Sequence, residues 1–472
     1  MPLDRELTAR LDALRQRAHA QRTGSWRDRR EKLRALRRAF VERRQALEEA
    51  LSVDLGRPAT ETDLVEYLPV IGELDRAIAN VHRWSQPRKA STPFALFGAH
   101  SKIIPQPKGV CLILSPWNYP ALLVLGPLVS CIAAGNTAVL KPSEFTPATC
   151  AYLRGLIAAV FDPAEVIVVE GAAETAAALL EQPFDHIFFT GSPNVGRIVM
   201  AAAAKWPASV TLELGGKSPA LVHKSADIAD AAKKIVWGKF VNAGQTCIAP
   251  DYVLAEAPVA DALKAAIAAR MRQVYPTEVE RGQRGGDYAA IVSERHAARL
   301  MDMIEDARQK GANILAGGAG DTGARFVAPT MLDGITPAMR VAQEEIFGPI
   351  LPVHTIADLD AGIAHVNAAP PPLASYVFGK DSAATGRFLA EVPAGGSCVN
   401  HTLIHFTNEA LPFGGIGPSG IGRSHGEAGF DAFSNLRAVM RDRFSMVHRF
   451  FPPYTKSLKM QMAAFLRLRG AA

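Results

Sequence analysis

A chain of 472 residues, 48% hydrophobic and 21% charged, has the composition of a globular protein and the length for two or three domains, which excludes a disordered or fibrous molecule. Its 52 Lys and Arg against 46 Asp and Glu leave a formal charge of +6, but basic residues alternate with acidic ones and form no stripe that would track a phosphate backbone, so no nucleic-acid partner is expected. Five cysteines at irregular spacing argue against a disulfide framework and for a reducing compartment.

The first residues, Met1-Pro2-Leu3-Asp4-Arg5-Glu6, are charged from the start and lack the apolar core of a secretory signal, so a cytoplasmic location is expected. Over residues 25–53, Leu33, Leu36, Phe40, Leu47 and Leu51 recur at helical spacing, with Ser25 and Asp28 placed as a capping box. This pattern predicts one amphipathic helix, whose arginines share a solvated face with Glu31, Glu42, Glu48 and Glu49. The Ser-, Pro- and Gly-containing stretch 87–107 reads as an arm or hairpin.

Beyond it, apolar runs at 110–114, 137–140, 166–169, 186–189 and 210–214 alternate with helical stretches, the pattern of a parallel sheet that binds ligands at the carboxyl ends of its strands. A second alternating series begins at Pro219-Ala220-Leu221-Val222 and runs to about Val399. No integral membrane segment is expected, because the apolar run after Tyr119 is broken by Pro127 and by a Gly135-Asn136 turn. The basic, partly apolar tail from Ser457 to Leu468 reads as a subunit-contacting or frayed segment, or as one suited to a membrane surface.

Several segments that follow these runs carry candidate chemistry. Cys247 comes after a glycine-containing turn at the end of the helical run 228–240, where a thiol is reachable, whereas Cys111, Cys131, Cys150 and Cys398 lie within apolar or helical runs. A thiol of ordinary pKa is only a few per cent thiolate at neutral pH, so Cys247 is either an activated nucleophile or a structural residue. Glu213 ends an apolar strand against Gly215 and Gly216. Desolvated there, it would serve as a general base, and salt-bridged it would be structural. Asn118, within Pro116-Trp117-Asn118-Tyr119-Pro120, offers an amide donor to an oxyanion or simply forms a turn. No GxGxxG follows these strands; Gly191 and Ser192, between a strand and a helix, are the nearest phosphate cradle, and Lys141 with Glu144 is placed to grip ribose hydroxyls.

The segments PWNYP, KPSE, LELGGKSP, NAGQTC, EEIFGP at 344–349 and LPFGG at 411–415 stand in the order and spacing of the aldehyde dehydrogenase superfamily, which the chain resembles from about residue 25 to 440. The stretch Asn400-His401-Thr402-Leu403-Ile404-His405-Phe406 and the short N-terminus are similar to the class 3 branch, particularly bacterial coniferyl aldehyde dehydrogenases. The resemblance implies an α/β fold: a Rossmann-like cofactor domain (1–86 and 104–215), an arm (87–103), an α/β catalytic domain (216–400), and a return segment with oligomerisation and tail regions (401–472). It implies Cys247 as nucleophile, Glu213 as base, and Asn118 with the Cys247 backbone N–H as oxyanion hole. NAD is the implied cofactor, with NADP also accommodated. Lys141 and Glu144 would take its adenine-side ribose, Gly191 and Ser192 the pyrophosphate, Glu345 the nicotinamide ribose, and Phe347 a place beside the ring.

The same resemblance implies a small-molecule aldehyde as substrate and a homodimer. Trp117, Tyr119, Ile404, Phe406 and Phe413 are expected to line a pocket for bulky aromatic, coniferyl-type, or medium-chain aldehydes. No metal is expected, since no HExxH or CxxC spacing occurs. A CoA-acylating relative and a non-catalytic protein on this scaffold are the alternatives, and Glu213 within LELGGKSP counts against the first.

Overall fold

The computed structural model describes residues 5–470, so the reading of Met1 to Asp4 falls outside the described residues. A first helix, Arg5–Gln21, buries Leu11, Leu14 and Ala18 against one sheet. The amphipathic stretch expected as one helix is two, Trp26–Glu42 and Arg44–Leu55, separated at Arg43. Apolar spacing continues across the break, since Leu33, Leu36, Phe40, Leu47 and Leu51 all enter one cluster. Ser25 accepts a hydrogen bond from the Arg27 N–H at 3.1 Å, a simple N-cap in place of the expected capping box.

The next helix starts at Ala59–Thr62, widens to a π-turn at Asp63–Tyr67 and continues as Leu68–Trp84. Pro69 explains the widening. It has no N–H for the carbonyl four residues back and its ring would crowd that turn, and the backbone answers with an i→i+5 bond from the Leu68 N–H to the Asp63 carbonyl. A second proline acts differently. Pro127, expected to break the apolar run, lies inside a continuous helix, Leu122–Ala134. The Leu123 carbonyl that its missing N–H would leave unpaired accepts from the Ser115 hydroxyl at 2.8 Å. No helix among the described residues is long and apolar enough to cross a membrane.

Among the described residues three larger sheets and a two-stranded ribbon, Gly320–Asp321 with Phe326–Val327, organise the rest. A six-stranded sheet has the order 420–421, Ser209–Leu214, His186–Gly191, Val110–Leu114, Thr137–Lys141, Val166–Val168, parallel except at its two-residue edge strand. A seven-stranded sheet runs Asn313–Ala316, Thr330–Asp333, Ile350–Ile356, Tyr252–Glu256, Pro219–Val222, Ala374–Phe378, Gly396–Val399, parallel except at Asn313–Ala316. The chain passes from the first to the second through Gly215 and Gly216, within a few residues of Glu213. The arm is a three-stranded antiparallel sheet of Arg88–Ala90, Ala99–Pro107 and Ser434–Asp442. Two of its strands fall within the stretch 87–107 and the third comes from the C-terminal region. The tail helix Lys456–Leu468, capped by Thr455, buries no residue.

Candidate active site

Glu213 sits where the two α/β units join. Its strand lies between His186–Gly191 and the return strand at Gly420, so the side chain is buried, and the Ser424 hydroxyl donates to its Oε1. Burial pushes this carboxyl up to about 7, against the opposing pull of the Ser424 bond and Arg423. Two residues on, a Cβ at Gly215 would lie 2.1 Å from Oε2 of Glu345 and would displace that carboxylate. Burial, with Asp251 adding to it, pushes Glu345 up to about 7 as well.

The Cys247 segment is a buried left-handed turn. Asn242 and Ala243 have φ of +54° and +50° and Gly244 has +73°, a conformation that non-glycine residues hold only when their surroundings enforce it. The enforcement is visible. Asn242 donates from Nδ2 to the carbonyls of Asn118 at 2.9 Å and Gln245 at 3.1 Å. Gln245 donates to the carbonyls of Asn242 and Ala290, each at 3.0 Å, and accepts from the Val292 N–H at 2.9 Å. Asn118 donates one N–H of its amide to the Gln245 carbonyl at 3.1 Å, which leaves the second N–H of that group to a ligand. Cys247 is half-buried, and desolvation first, then Glu213 and Glu345, push its thiol up to about 12. The other four cysteines are buried.

Two cavities meet here. One, of about 590 Å³, has apolar walls that include Leu64, Leu122, Trp237, Ile248, Leu403 and Phe406. The other, of about 300 Å³, is lined by Trp117, Asn118, Gly191, Ser192, Glu345 and Phe347 among others. Cys247 and Glu213 are the residues common to both linings.

Most of the site residues expected from sequence come to one of these cavities. Tyr119, Phe406 and Phe413 line the apolar one. Trp117 does not, which corrects its expected place. The chain turns at Asn118, so Trp117 faces the smaller cavity, in edge-on contact with Phe347 at 5.4 Å and His296 at 5.2 Å. Ile404 is likewise corrected: it is 43% exposed, and its neighbour Leu403, at φ +64°, points into the cavity instead. Lys141 and Glu144 pair with each other at 3.0 Å at the end of the adjacent strand, outside the lining of the smaller cavity. Ser192 spends its hydroxyl capping the helix that follows, accepting from the Val195 N–H at 3.4 Å, and Pro193 has no N–H, so fewer donors face the cavity than a glycine turn alone implies.

Sequence reasoning missed the residues that hold this arrangement. Arg57, fully buried, forms an ion pair with Glu66 at 2.6 Å, donates to the Asn118 carbonyl and to Asn242 Oδ1, and lies over the Tyr119 ring. Lys217 joins Asp251 to the Val341 and Glu344 carbonyls, fixing the EEIFGP segment, which Arg299 holds from its other side. Lys217 was legible as part of LELGGKSP. Arg57 had no signal beyond its place before Pro58.

Residues 5–439 match the aldehyde dehydrogenase family. The chain is 41% identical over 440 residues to 4,4'-diaponeurosporen-aldehyde dehydrogenase of Staphylococcus aureus, covering 93% of this chain and 94% of that protein. It is 41% identical over 438 residues to a Pseudomonas aeruginosa protein named probable coniferyl aldehyde dehydrogenase, covering 92% and 91%. A solved structure described as the substrate-bound state of Staphylococcus aureus AldH superposes with a TM-score of 0.91 at 39% identity, over 98% of this chain and 100% of the other. With the paired α/β sheets and the junction at Cys247 and Glu213, these matches establish that the chain belongs to the aldehyde dehydrogenase family.

Proposed function

We propose that the protein oxidises a bulky, apolar aldehyde to its carboxylic acid with NAD(P), Cys247 acting as nucleophile and Glu213 as general base. The observation that carries this reading is the junction itself. An apolar cavity and a second, more polar one both reach Cys247, so an aldehyde and a dinucleotide can approach one thiol from separate spaces.

The smaller cavity suits a dinucleotide. It contains the buried Thr190 hydroxyl, which has no protein partner, together with the carboxylate of Glu345 and the aromatic walls of Trp117 and Phe347. Glu345 would hold the nicotinamide ribose with Phe347 beside the ring, Gly191 and Ser192 the pyrophosphate, and Lys141 and Glu144 the far ribose. A bound NAD(P) supplies the two-electron acceptor that the oxidation needs. The protein supplies the rest. Cys247, protonated at neutral pH, gives up its proton as its sulfur bonds to the aldehyde carbon, and Glu213 is the base on the same walls. The free N–H of Asn118 and the backbone N–H of Cys247 take the developing alkoxide charge. Once the carbon is oxidised to a thioester on Cys247, Glu213 draws a proton from water as the water oxygen attacks.

The 590 Å³ cavity is far larger than a two-carbon aldehyde, and relatives named for 4,4'-diaponeurosporen-aldehyde and for coniferyl aldehyde favour coniferyl-type aromatic or medium-chain substrates. The CoA-acylating and non-catalytic alternatives gain no support. A cytoplasmic homodimer belongs to the same reading: all five cysteines are unpaired, and Phe94 and Phe97, 90% and 66% exposed on the arm, give a partner apolar surface to cover. NADH formation with acetaldehyde, hexanal, benzaldehyde and coniferyl aldehyde tests the proposal. No turnover with any of them overturns it, and fastest turnover with acetaldehyde overturns the substrate class.

A further inference from the structure

Glu213 has a second set of neighbours, behind the reaction centre. Ser424, which donates to Glu213, is followed by His425, a non-glycine residue held at φ +69°. Nδ1 of His425 lies 3.3 Å from Oε1 of Glu73, on the helix Leu68–Trp84. Neither atom is aligned for a hydrogen bond, and both are buried without a partner. The other Glu73 oxygen accepts from the Gly426 N–H at 3.3 Å. A buried carboxyl with half its capacity unused is costly in a hydrophobic interior.

The space between these groups forms a path. Glu213, Ser424, His425 and Glu73 line one cavity of about 20 Å³ whose other walls are apolar, Leu122, Phe188 and Phe406 among them, room for a single water molecule held by these four polar side chains. Glu73 and His425 also line a second cavity, of about 230 Å³, whose walls include Glu409 and the exposed residues Leu64, Leu68 and Thr407. A succession of polar groups therefore leads from Glu213 to the surface.

We propose that Glu73 is a proton-relay residue that acts through Glu213: the proton Glu213 takes from the hydrolytic water passes by the Ser424 hydroxyl and one water to the Glu73 carboxyl, which hands a proton on past Glu409 to solvent. The inference rests on the reading of Glu213 as base. Before this step Glu213 has passed on, along the same path, the proton it took from Cys247. In the step that loads the relay, a C–O bond forms between water and the thioester carbon, the C–S bond to Cys247 breaks with the electron pair leaving on sulfur, which then takes a proton from solvent, and the water proton goes to Glu213. In the relay, Glu213 donates to Ser424 Oγ while the Ser424 proton moves on. No group is oxidised or reduced: once Glu213 is protonated the Ser424 hydroxyl turns from it toward the water, and the transfer leaves Ser424 donating to the Glu213 carboxylate again, as at the start.

The two carboxyls are matched for such a transfer. Burial pushes Glu213 to about 7 and Glu73 to about 8. Glu409 and Glu213 add to the rise at Glu73, and Arg76 and the Gly426 N–H oppose it. Transfer between groups of similar pKa is close to thermoneutral. His425, pushed down to about 3 by burial, stays neutral and does not trap the proton.

The test is rapid-mixing kinetics on the full chain with NAD and hexanal. Glu73→Gln keeps the side-chain shape and an acceptor for Gly426 but takes up no proton. It is expected to give an NADH burst of normal amplitude and rate, followed by a steady state at least about tenfold slower, and Glu73→Asp to recover part of that loss. Glu73→Ala is expected to regain turnover as formate is added, which a purely structural defect would not do. A Glu73→Gln enzyme with unchanged steady state and pH profile overturns the relay, as does a burst and steady state that fall together or a Glu73→Ala enzyme indifferent to formate. Should Glu73→Gln fail to fold, Ser424→Ala interrupts the same path and must show the same pattern. Glu213→Gln run in parallel separates the two ideas: slow steady state there with normal turnover in Glu73→Gln removes only the relay, whereas normal turnover in Glu213→Gln removes the base itself.

Discussion

Arg57 hydrogen-bonds the side-chain oxygen of Asn242 at 2.7 Å across 185 residues of sequence, and so ties the start of the Cys247 turn to the helical region at the N-terminal end of the chain. The same guanidinium holds the Asn118 carbonyl and Glu66, and Glu66 in turn accepts from the N–H groups of Ala121 and Leu122 at 3.0 and 2.7 Å. One buried ion pair thus positions both loops of the reaction centre. Arg57→Met leaves Glu66 buried and unpaired, an arrangement that costs about 3–5 kcal/mol. The expected outcome is a large fall in Tm with loss of turnover, partly reversed in Tm by adding Glu66→Gln. A single variant that melts within a degree or two of the parent contradicts the assignment.

Cys247→Ala should abolish aldehyde oxidation and leave dinucleotide binding largely intact, because the thiol is one residue in the lining of the smaller cavity. Fluorescence titration with NADH checks the second half. Turnover retained within about tenfold, or ~1.4 kcal/mol of barrier, removes covalent catalysis from the account.

Glu213→Gln should block release of the acid more than formation of NADH, giving a burst and then a slow phase. In the parent enzyme the base must be ionised and its carboxyl is raised to about 7, so deacylation is expected to fall as pH drops through 7. The stability effect has the opposite sign. A carboxyl whose folded pKa is above its unfolded one binds more protons when folded, so its contribution to stability declines as pH rises from the unfolded value through about 7. Glu213→Gln should therefore raise Tm at pH 8 more than at pH 5, and an equal change at both pH values contradicts the raised pKa.

The strands around this site were legible because parallel-sheet strands are continuous apolar runs, and the reacting residues were legible because Asn118 follows such a run, Glu213 stands at the end of one, and Cys247 follows a glycine-containing turn. Contacts between distant segments were not. Nothing in the local sequence of Arg57, in the short connection between two helices, or of Glu73, on the helix Leu68–Trp84, distinguishes a buried partner from a solvated charge. The facing of Trp117 and the exchange of Leu403 for Ile404 depend on turns at Asn118 and Leu403 that displace a side chain by one position, below the resolution of an apolar pattern. The break at Arg43 is silent for the same reason: periodicity continues through it.

NAD should be preferred over NADP. Glu144, beside Lys141 at the strand end, would meet a 2′-phosphate with like charge. Its carboxylate is partly exposed, and its tie to Lys141 is a single contact at 3.0 Å, so the preference is expected to be modest and to shrink in Glu144→Gln. Equal kcat/KM for both cofactors in the parent would show that the side chain swings aside, and the argument from its charge would fail.

A homologous series of straight-chain aldehydes reads the apolar cavity directly. Each methylene moved from water into apolar surroundings is worth ~0.8 kcal/mol, close to fourfold in kcat/KM if the gain is expressed in the transition state. The four methylenes that separate acetaldehyde from hexanal would then give a difference of about two hundredfold. Walls built from Leu64, Leu122, Trp237, Ile248 and Leu403 offer no cation to hold a charged tail, so a semialdehyde bearing a carboxylate should gain nothing from its length. The slope should continue to the chain length that fills the 590 Å³ and then level off. Trp237→Ala, which widens the cavity at a half-open wall, should move that plateau toward longer chains without changing kcat/KM for acetaldehyde by more than about twofold. A flat series, or a charged semialdehyde that outruns hexanal, would end the proposal of an apolar substrate while leaving the chemistry at Cys247 untouched.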